Sequence, residues 1–475
     1  MAQPPRNPQE LWERIRKSSK DEVVLEEMVR LGFWPEAQDR PGDPADEIRR
    51  QGELRRRLDE LQAEKRRLGN IEALKREARK KRMEEARRRR EETRQRRLAE
   101  RARRAEEWKE RKGREIVFLG AGVSGGLGEA HAHADGGRLA VLGLPTVSSA
   151  PELAAAMGLS VGALRFLAYA REVSRMTHYR RFAVAKKTGG ERVISAPMPR
   201  LKRAQEWIQA QILSRAPVDA AAHGFVAGRS TVSNAGPHVG AAVVVNLDLE
   251  DFFPTLDYRR VKGLYRGLGY GEQVATVLAL LSTEPEVQSV SLDGEVWHVA
   301  TTARHLPQGA PTSPTLSNLA CRRLDRRLTG LARRLGFVYT RYADDLTFSG
   351  PPSATAAVGP LVGAVGRIVA AEGFRVHPGK TRVLRAGRRQ EVTGLVVNRR
   401  LGVPRDQLRR FRALLHQIAK DGPDGKRWGR SADVLAAAWG FANYVHMVDP
   451  EKGRALRRSV HALYQRHRPA AAPTL

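Results

Sequence analysis

The sequence predicts an α+β protein with a long basic helical N-terminal extension. Three patterns predict it. Between about residues 145 and 398, apolar runs that read as strands alternate with stretches of helical spacing. The last 75 or so residues carry apolar positions at helical spacing only, in DQLRRFRALLHQI, ADVLAAAWGFANYV and GRALRRSVHALY. The N-terminal part is also helical by spacing, but it is strongly charged and nearly without an apolar face.

In chain order, residues 1–45 read as a small helical unit. Leu11, Ile15, Val23, Leu25, Met28 and Leu31 fall at roughly helical spacing, a Ser18/Ser19 cap separates two helices, and Pro35, Pro41 and Pro44 end the pattern. Residues 46–115 read as a basic charged helix. Its stretch 46–113 holds 27 Lys/Arg against 16 Asp/Glu. Leu54, Leu61 and Leu68 stand seven apart and support a short amphipathic or coiled-coil segment, with Gly52 and Gly69 as expected breaks. The rest is either a solvated spacer or a phosphate-contacting arm, and the positive excess favours the arm. Residues 116–144 read as a Gly-rich linker. Gly120, Gly122 and Gly125 match GxGxxG, but the glycines that follow forbid the helix a dinucleotide site needs. Residues 145–398 form the globular core, and 399–475 a helical unit.

The chain has 475 residues, with Lys plus Arg 84 and Asp plus Glu 53, a formal net charge of +31. Such a chain needs a polyanionic partner: nucleic acid, anionic membrane or a phosphorylated substrate. No run approaches about 20 apolar residues, so no membrane span is expected. MAQPPRNPQE has no apolar core, so no secretory signal is expected and the location read from the sequence is cytoplasmic. The single cysteine, Cys321, excludes an intramolecular disulfide and a Cys-rich zinc site.

Two acidic sites carry the chemistry. In VVVNLDLEDFFP, 243–254, a buried strand delivers Asp248 to its C-terminal end. In FVYTRYADDLTFSG, 337–350, a strand, a tight turn at Ala343-Asp344-Asp345 and a return strand place two acids at a hairpin tip. Carboxylates converging in so basic a protein point to a divalent metal, because hard Mg²⁺ takes oxygen ligands and a two-metal site steadies the attacking and leaving oxygens of phosphoryl transfer. Between them, HLPQGAPTSPTLSNL, 305–319, reads as a sharply shaped loop before a helix, with Gln308 at its edge.

YADD at 342–345, LPQGAPTSP before it and the strand-borne Asp248 resemble, in order and spacing, palm motifs A, B and C of reverse transcriptases. RRFAVAKKTGGERVISAP, 180–197, is similar to the fingers hairpin, GFRVHPGKTRV, 373–383, to motif D, and VTGLVVN, 392–398, to the primer grip. Asn234-Ala-Gly-Pro-His238 and Val392-Thr393-Gly394 match the NAxxH and VTG elements of the bacterial retron enzymes, and the resemblance covers about 145–475. It implies a right-hand polymerase with fingers and palm over 145–398 and a helical thumb over 399–475.

The resemblance further implies roles. Asp248, Asp344 and Asp345 would hold two Mg²⁺ ions, with the Leu249 carbonyl assisting, Asp344 the better bridging ligand and Asp345 further away. Phe253, five after Asp248, would be the steric gate against a ribose 2′-OH, with Asp251 and Phe252 beside it in the nucleotide site. Arg192 and one of Lys186 or Lys187 would contact the triphosphate, and Gln308 the incoming nucleotide. Lys380 would be the general acid for pyrophosphate or a phosphate screen. Asn234 and His238, together with Arg409, Arg410, Arg412, Arg457 and Arg458, would contact RNA or, for His238 and His223, serve structure. The expected partners are a cognate retron RNA, its msDNA product, dNTPs, an effector protein and host RNase H, because no RNase H, maturase or nuclease module is expected in the residues after the VTG element. The implied activity is RNA-directed DNA synthesis primed from an internal 2′-OH, in defence against phage.

Overall fold

A computed structural model describes residues 7–35, 42–125, 127, 133–185 and 189–468. The chain divides into two units, Met1–Trp108 and Lys109–Leu475.

In the first unit, helices Pro8–Lys17 and Lys20–Arg30 are separated by Ser19, whose hydroxyl accepts from Glu22 N at 3.0 Å. This is the cap the sequence announced. Helix Pro44–Gly69 runs unbroken through Gly52 and lies against the preceding helix, with Arg56 on the nearly buried Glu22 at 3.1 Å. The helix ends at Gly69, the second expected break, where Asn70 leaves helical geometry and caps the next helix by accepting from Ala73 N at 3.0 Å. That next helix, Ile71–Arg114, has no buried residue. The seam of Leu54, Leu61 and Leu68 is exposed.

The second unit differs from expectation at its start. Ile116, Leu119, Leu127 and Leu139 are buried in the main core rather than strung along a linker. Gly120, at φ +121°, lets the Ala170 carbonyl approach where a Cβ would stand, while Ala170 N donates to Leu119 O at 2.7 Å. Gly120 of the GxGxxG string thus serves a close backbone approach, and no strand precedes it among the described residues.

The central sheet is antiparallel, in the order Val338–Tyr342, Asp345–Gly350, Val243–Asp248, Arg382–Arg385. Both faces of the Val243–Asp248 strand are covered, which explains its near-continuous apolar run. Val243, Val245 and Leu247 face the main core, whereas Val244 packs into a second core with Val392, Leu395 and Phe411. Period-2 alternation puts Asn246 and Asp248 on the Val244 face. Asn246 bonds the Glu391 carbonyl at 2.9 Å, and Asp248 emerges at the end of the row.

The fingers hairpin pairs Tyr179–Ala185 with Glu191–Pro197, setting Val184 opposite Arg192. The C-terminal helices Arg405–Asp421, Val434–Val448 and Pro450–His467 build the second core, with Phe411, Trp428 and Phe441 rings within about 5 Å of one another. One segment, Pro352–Ala371, is long and apolar enough by composition to cross a membrane, which the sequence reading did not anticipate. Its Leu361, Val365 and Val369 are buried in the main core.

Candidate active site

The two acidic strand ends meet. Asp248 pairs in register with Asp345, and Leu249 N donates to Asp344 O at 3.0 Å. The hairpin can be this tight because Ala343 adopts φ +57°, and its amide is covered by Gly224, where a Cβ would come within 2.6 Å of Ala343 N. Gly224 of HGFVAGRS therefore lies directly against the Ala343-Asp344-Asp345 turn.

Beneath the turn lies a buried polar network that sequence reading missed. Arg341 has no exposed surface; it bonds Asp325 twice, Asn318 Oδ1 at 3.0 Å and the Ala343 carbonyl at 3.0 Å. Asn318 Nδ2 in turn donates to the Gly224 carbonyl at 2.9 Å. The available signal was an arginine inside the apolar strand FVYTRY, since a buried charge needs a partner.

The carboxylates repel one another. The Asp345 carboxyl is pushed up to about 7, first by the protein packed around it and then by the Asp344 and Asp248 charges. Asp344 is raised by burial and by Asp248, while Lys380 and Arg192 draw it back down. Lys380 Nζ sits 2.8 Å from Asp248 Oδ1. Three carboxyls with surplus negative charge and one lysine as partial counterion suit a hard cation. Among the described residues no three His, Cys, Asp or Glu side chains already stand in ligating positions.

Other predicted residues fall as follows. Phe253 is half-buried, with its ring 5.4 Å from Phe252 and 6.4 Å from Phe225. Phe252 is a correction: its ring is buried against Phe374 at 5.8 Å, so its side chain is core and only its backbone remains for a nucleotide. Asp251 is exposed at φ +43°, in the turn that leaves the strand. The Gln308 carbonyl accepts from Ser195 N at 2.7 Å, which ties this loop to the fingers hairpin. Arg192 is exposed, and Lys186 and Lys187 lie outside the described residues.

Asn234 is also corrected, and of the two roles read for His238 its burial favours the structural one. Neither side chain is exposed, so neither meets RNA here. The His238 ring bonds Ser349 Oγ at 2.6 Å and Thr340 Oγ1 at 2.7 Å, and Asn234 Nδ2 donates to Thr393 Oγ1 at 3.4 Å. Burial, with a smaller push from His223, lowers His238 to about 4, so the ring is neutral. The NAxxH element clamps the back of both YADD strands to the VTG turn. Arg409, Arg410, Arg412 and Arg458 are exposed on the C-terminal helices, whereas the Arg457 guanidinium lies 5.2 Å over the Trp439 ring.

Comparison with known proteins agrees with this geometry. The family model described as reverse transcriptase (RNA-dependent DNA polymerase) matches residues 184–409. The chain is 49% identical over 332 residues to the retron Mx162 reverse transcriptase of Myxococcus xanthus, covering 66% of each chain. It is 48% identical to the retron Mx65 reverse transcriptase of the same organism, over 68% of this chain and 74% of that one. It is 32% identical to the retron Ec86 reverse transcriptase of Escherichia coli, over 67% of this chain and 90% of that one. The chain belongs to the retron reverse transcriptases, a family of RNA-directed DNA polymerases.

Proposed function

We propose that this chain copies a structured retron RNA into DNA, starting from a 2′-OH inside that RNA and leaving a branched RNA–DNA, msDNA, as part of a defence against phage. The observation that carries the polymerase site is the pairing of Asp248 with Asp345 beside Asp344, at the open ends of two buried strands.

Asp248, Asp344 and Asp345, with the Leu249 carbonyl, would hold two Mg²⁺ ions. Bound there, the ions supply activation of the primer hydroxyl and neutralisation of the leaving pyrophosphate. The chain's own groups do the rest. The Arg341 network fixes the turn so that the carboxylates need not reorganise. Lys380, beside Asp248, would screen the phosphates or give up a proton to the leaving pyrophosphate. Arg192 on the fingers hairpin would grip the triphosphate, and Gln308, held by the same hairpin, would border the nucleotide. Phe253 would close off the ribose 2′-position. The product and RNA partner, an effector and host RNase H belong to this same reading, which rests on the family.

The test is primer extension on an RNA template with Mg²⁺. Asp344→Asn should keep RNA binding and lose DNA synthesis by several orders of magnitude; near-normal synthesis would overturn the assignment.

A further inference from the structure

We propose that one face of the Ile71–Arg114 helix is a binding site for nucleic-acid phosphate backbone that takes no account of base sequence. At 3.6 residues per turn, Arg87, Arg90, Arg94, Arg97 and Arg101 fall within an arc of about 80° and rise over about 21 Å. A shallow groove of about 500 Å³ runs among four of them, with Thr93 and Leu98 in its lining.

The charges on this helix are sorted by face. Between residues 76 and 104 the acids are Glu77, Glu84, Glu85, Glu91, Glu92 and Glu100, and the same wheel puts none of them inside the arc. Glu91 comes nearest, and its carboxylate accepts from Gln95 Nε2 at 2.9 Å, on the side away from the stripe. Of the ion pairs of this stretch, Lys81–Glu77 and Arg88–Glu92 use cations on other faces, and Arg104–Glu100 uses an arginine about 20° beyond the edge of the arc. None of the five stripe arginines has an ion pair among the described residues. Each stands three or four residues from the next, so the stripe opposes helix formation by like-charge repulsion, and an anion along it would relieve that cost. A face that only keeps a helix solvated interleaves its signs, as the remainder of this helix does.

Phosphate spread along a line is the matching partner. An anionic membrane surface would want a broad apolar face, and the large apolar side chains of residues 76–104 are Met83 and Leu98 alone. The RNA template and the DNA product both present this backbone. The stripe would tether either to this chain without choosing among sequences.

The experiment uses the full chain with the five arginines changed together to Gln, a second variant with all five changed to Lys, and a control in which Arg88, Arg96 and Arg103, on the opposite side of the helix, become Gln. Binding to a hairpin RNA, to a DNA hairpin of the same sequence and to anionic phospholipid vesicles is followed by anisotropy or sedimentation as salt rises. Extension of a pre-annealed primer–template at saturating concentration is measured alongside. We expect the Gln variant to flatten the log–log salt slope by about 3.5 to 4.5, at about 0.7–0.9 for every phosphate that is no longer neutralised. The Lys variant and the control should keep the slope, and extension should be unchanged. A fall for RNA alone or for DNA alone names the strand that is held. An equal slope in the Gln variant and the control, or an effect on vesicles only, overturns the site. Loss of extension in Asp344→Asn is read separately, so the two readings fail independently.

Discussion

Arg341 and Asp325 form a two-toothed ion pair with no solvent exposure on either side chain, Nε to Oδ1 at 2.8 Å and Nη2 to Oδ2 at 2.7 Å. The remaining Arg341 bonds reach the carbonyl of Ala343 and the side chain of Asn318, so the pair is both satisfied and attached to the Ala343-Asp344-Asp345 turn. Removing one partner leaves the other charge buried and alone. Asp325→Ala should therefore cost about 3–5 kcal/mol of stability, measured by denaturant unfolding. The double change Asp325→Leu with Arg341→Met should recover much of that loss yet still slow DNA synthesis. Synthesis at the wild-type rate by the double variant would show that the network does not position the turn.

Asp345 sets a pH dependence with a definite sign. Its folded value of about 7 lies above its ordinary carboxylate value, so the folded protein binds the extra proton. Without metal, stability should be highest at acidic pH and fall as pH rises through 7. Asp345→Asn should remove most of that slope, and Mg²⁺ should restore stability on the alkaline side by neutralising the cluster. Thermal melts from about pH 5 to 8, with and without Mg²⁺, check this. A melting temperature that rises with pH in metal-free buffer would contradict it.

Phe253 is clamped by Phe252 on one side and by the exposed, positive-φ Phe225 on the other, yet keeps part of its surface open. Phe253→Ala should raise ribonucleotide incorporation relative to dNTP by tenfold or more, on the order of 1.4 kcal/mol or above. Single-nucleotide insertion kinetics decide it, and an unchanged ratio would return Phe253 to a packing role.

Selection of RNA must come from surfaces outside the palm, because a templated site accepts every base. With Asn234 and His238 buried, the exposed Arg409, Arg410, Arg412 and Arg458 on the C-terminal helices remain. Their helices share a core with Val244, Val392 and Leu395, so exchange of 399–475 with another retron enzyme has to keep apolar residues along that seam. The chimera should switch the RNA used in competitive synthesis with cognate and non-cognate RNAs. Retention of the original preference would move selectivity elsewhere.

The strand ending at Asp248, the Ala343-Asp344-Asp345 turn, the Ser19 cap and the helical C-terminus were legible without coordinates. Each is a local pattern: side-chain alternation, a turn residue, a cap or a repeat at helical spacing. The motif order then identified the palm, and with it the acids that the sheet register sets side by side.

What only the tertiary structure decided depends on partners far apart in sequence. His238 reads as either an RNA contact or a structural residue until Thr340 and Ser349, 102 and 111 residues on, close around its ring. Residues 116–144 read as a linker because their glycines break local order, yet Leu119 and Leu139 gain burial from helices that begin later in the chain. Arg341 was visible as an anomaly in an apolar strand, but its counter-charge is 16 residues away on a helix and its purpose is the turn above it. Local pattern fixes which backbone forms and which face is apolar; which polar group a side chain meets is set by the packing of distant elements, where a buried donor or charge must find a partner.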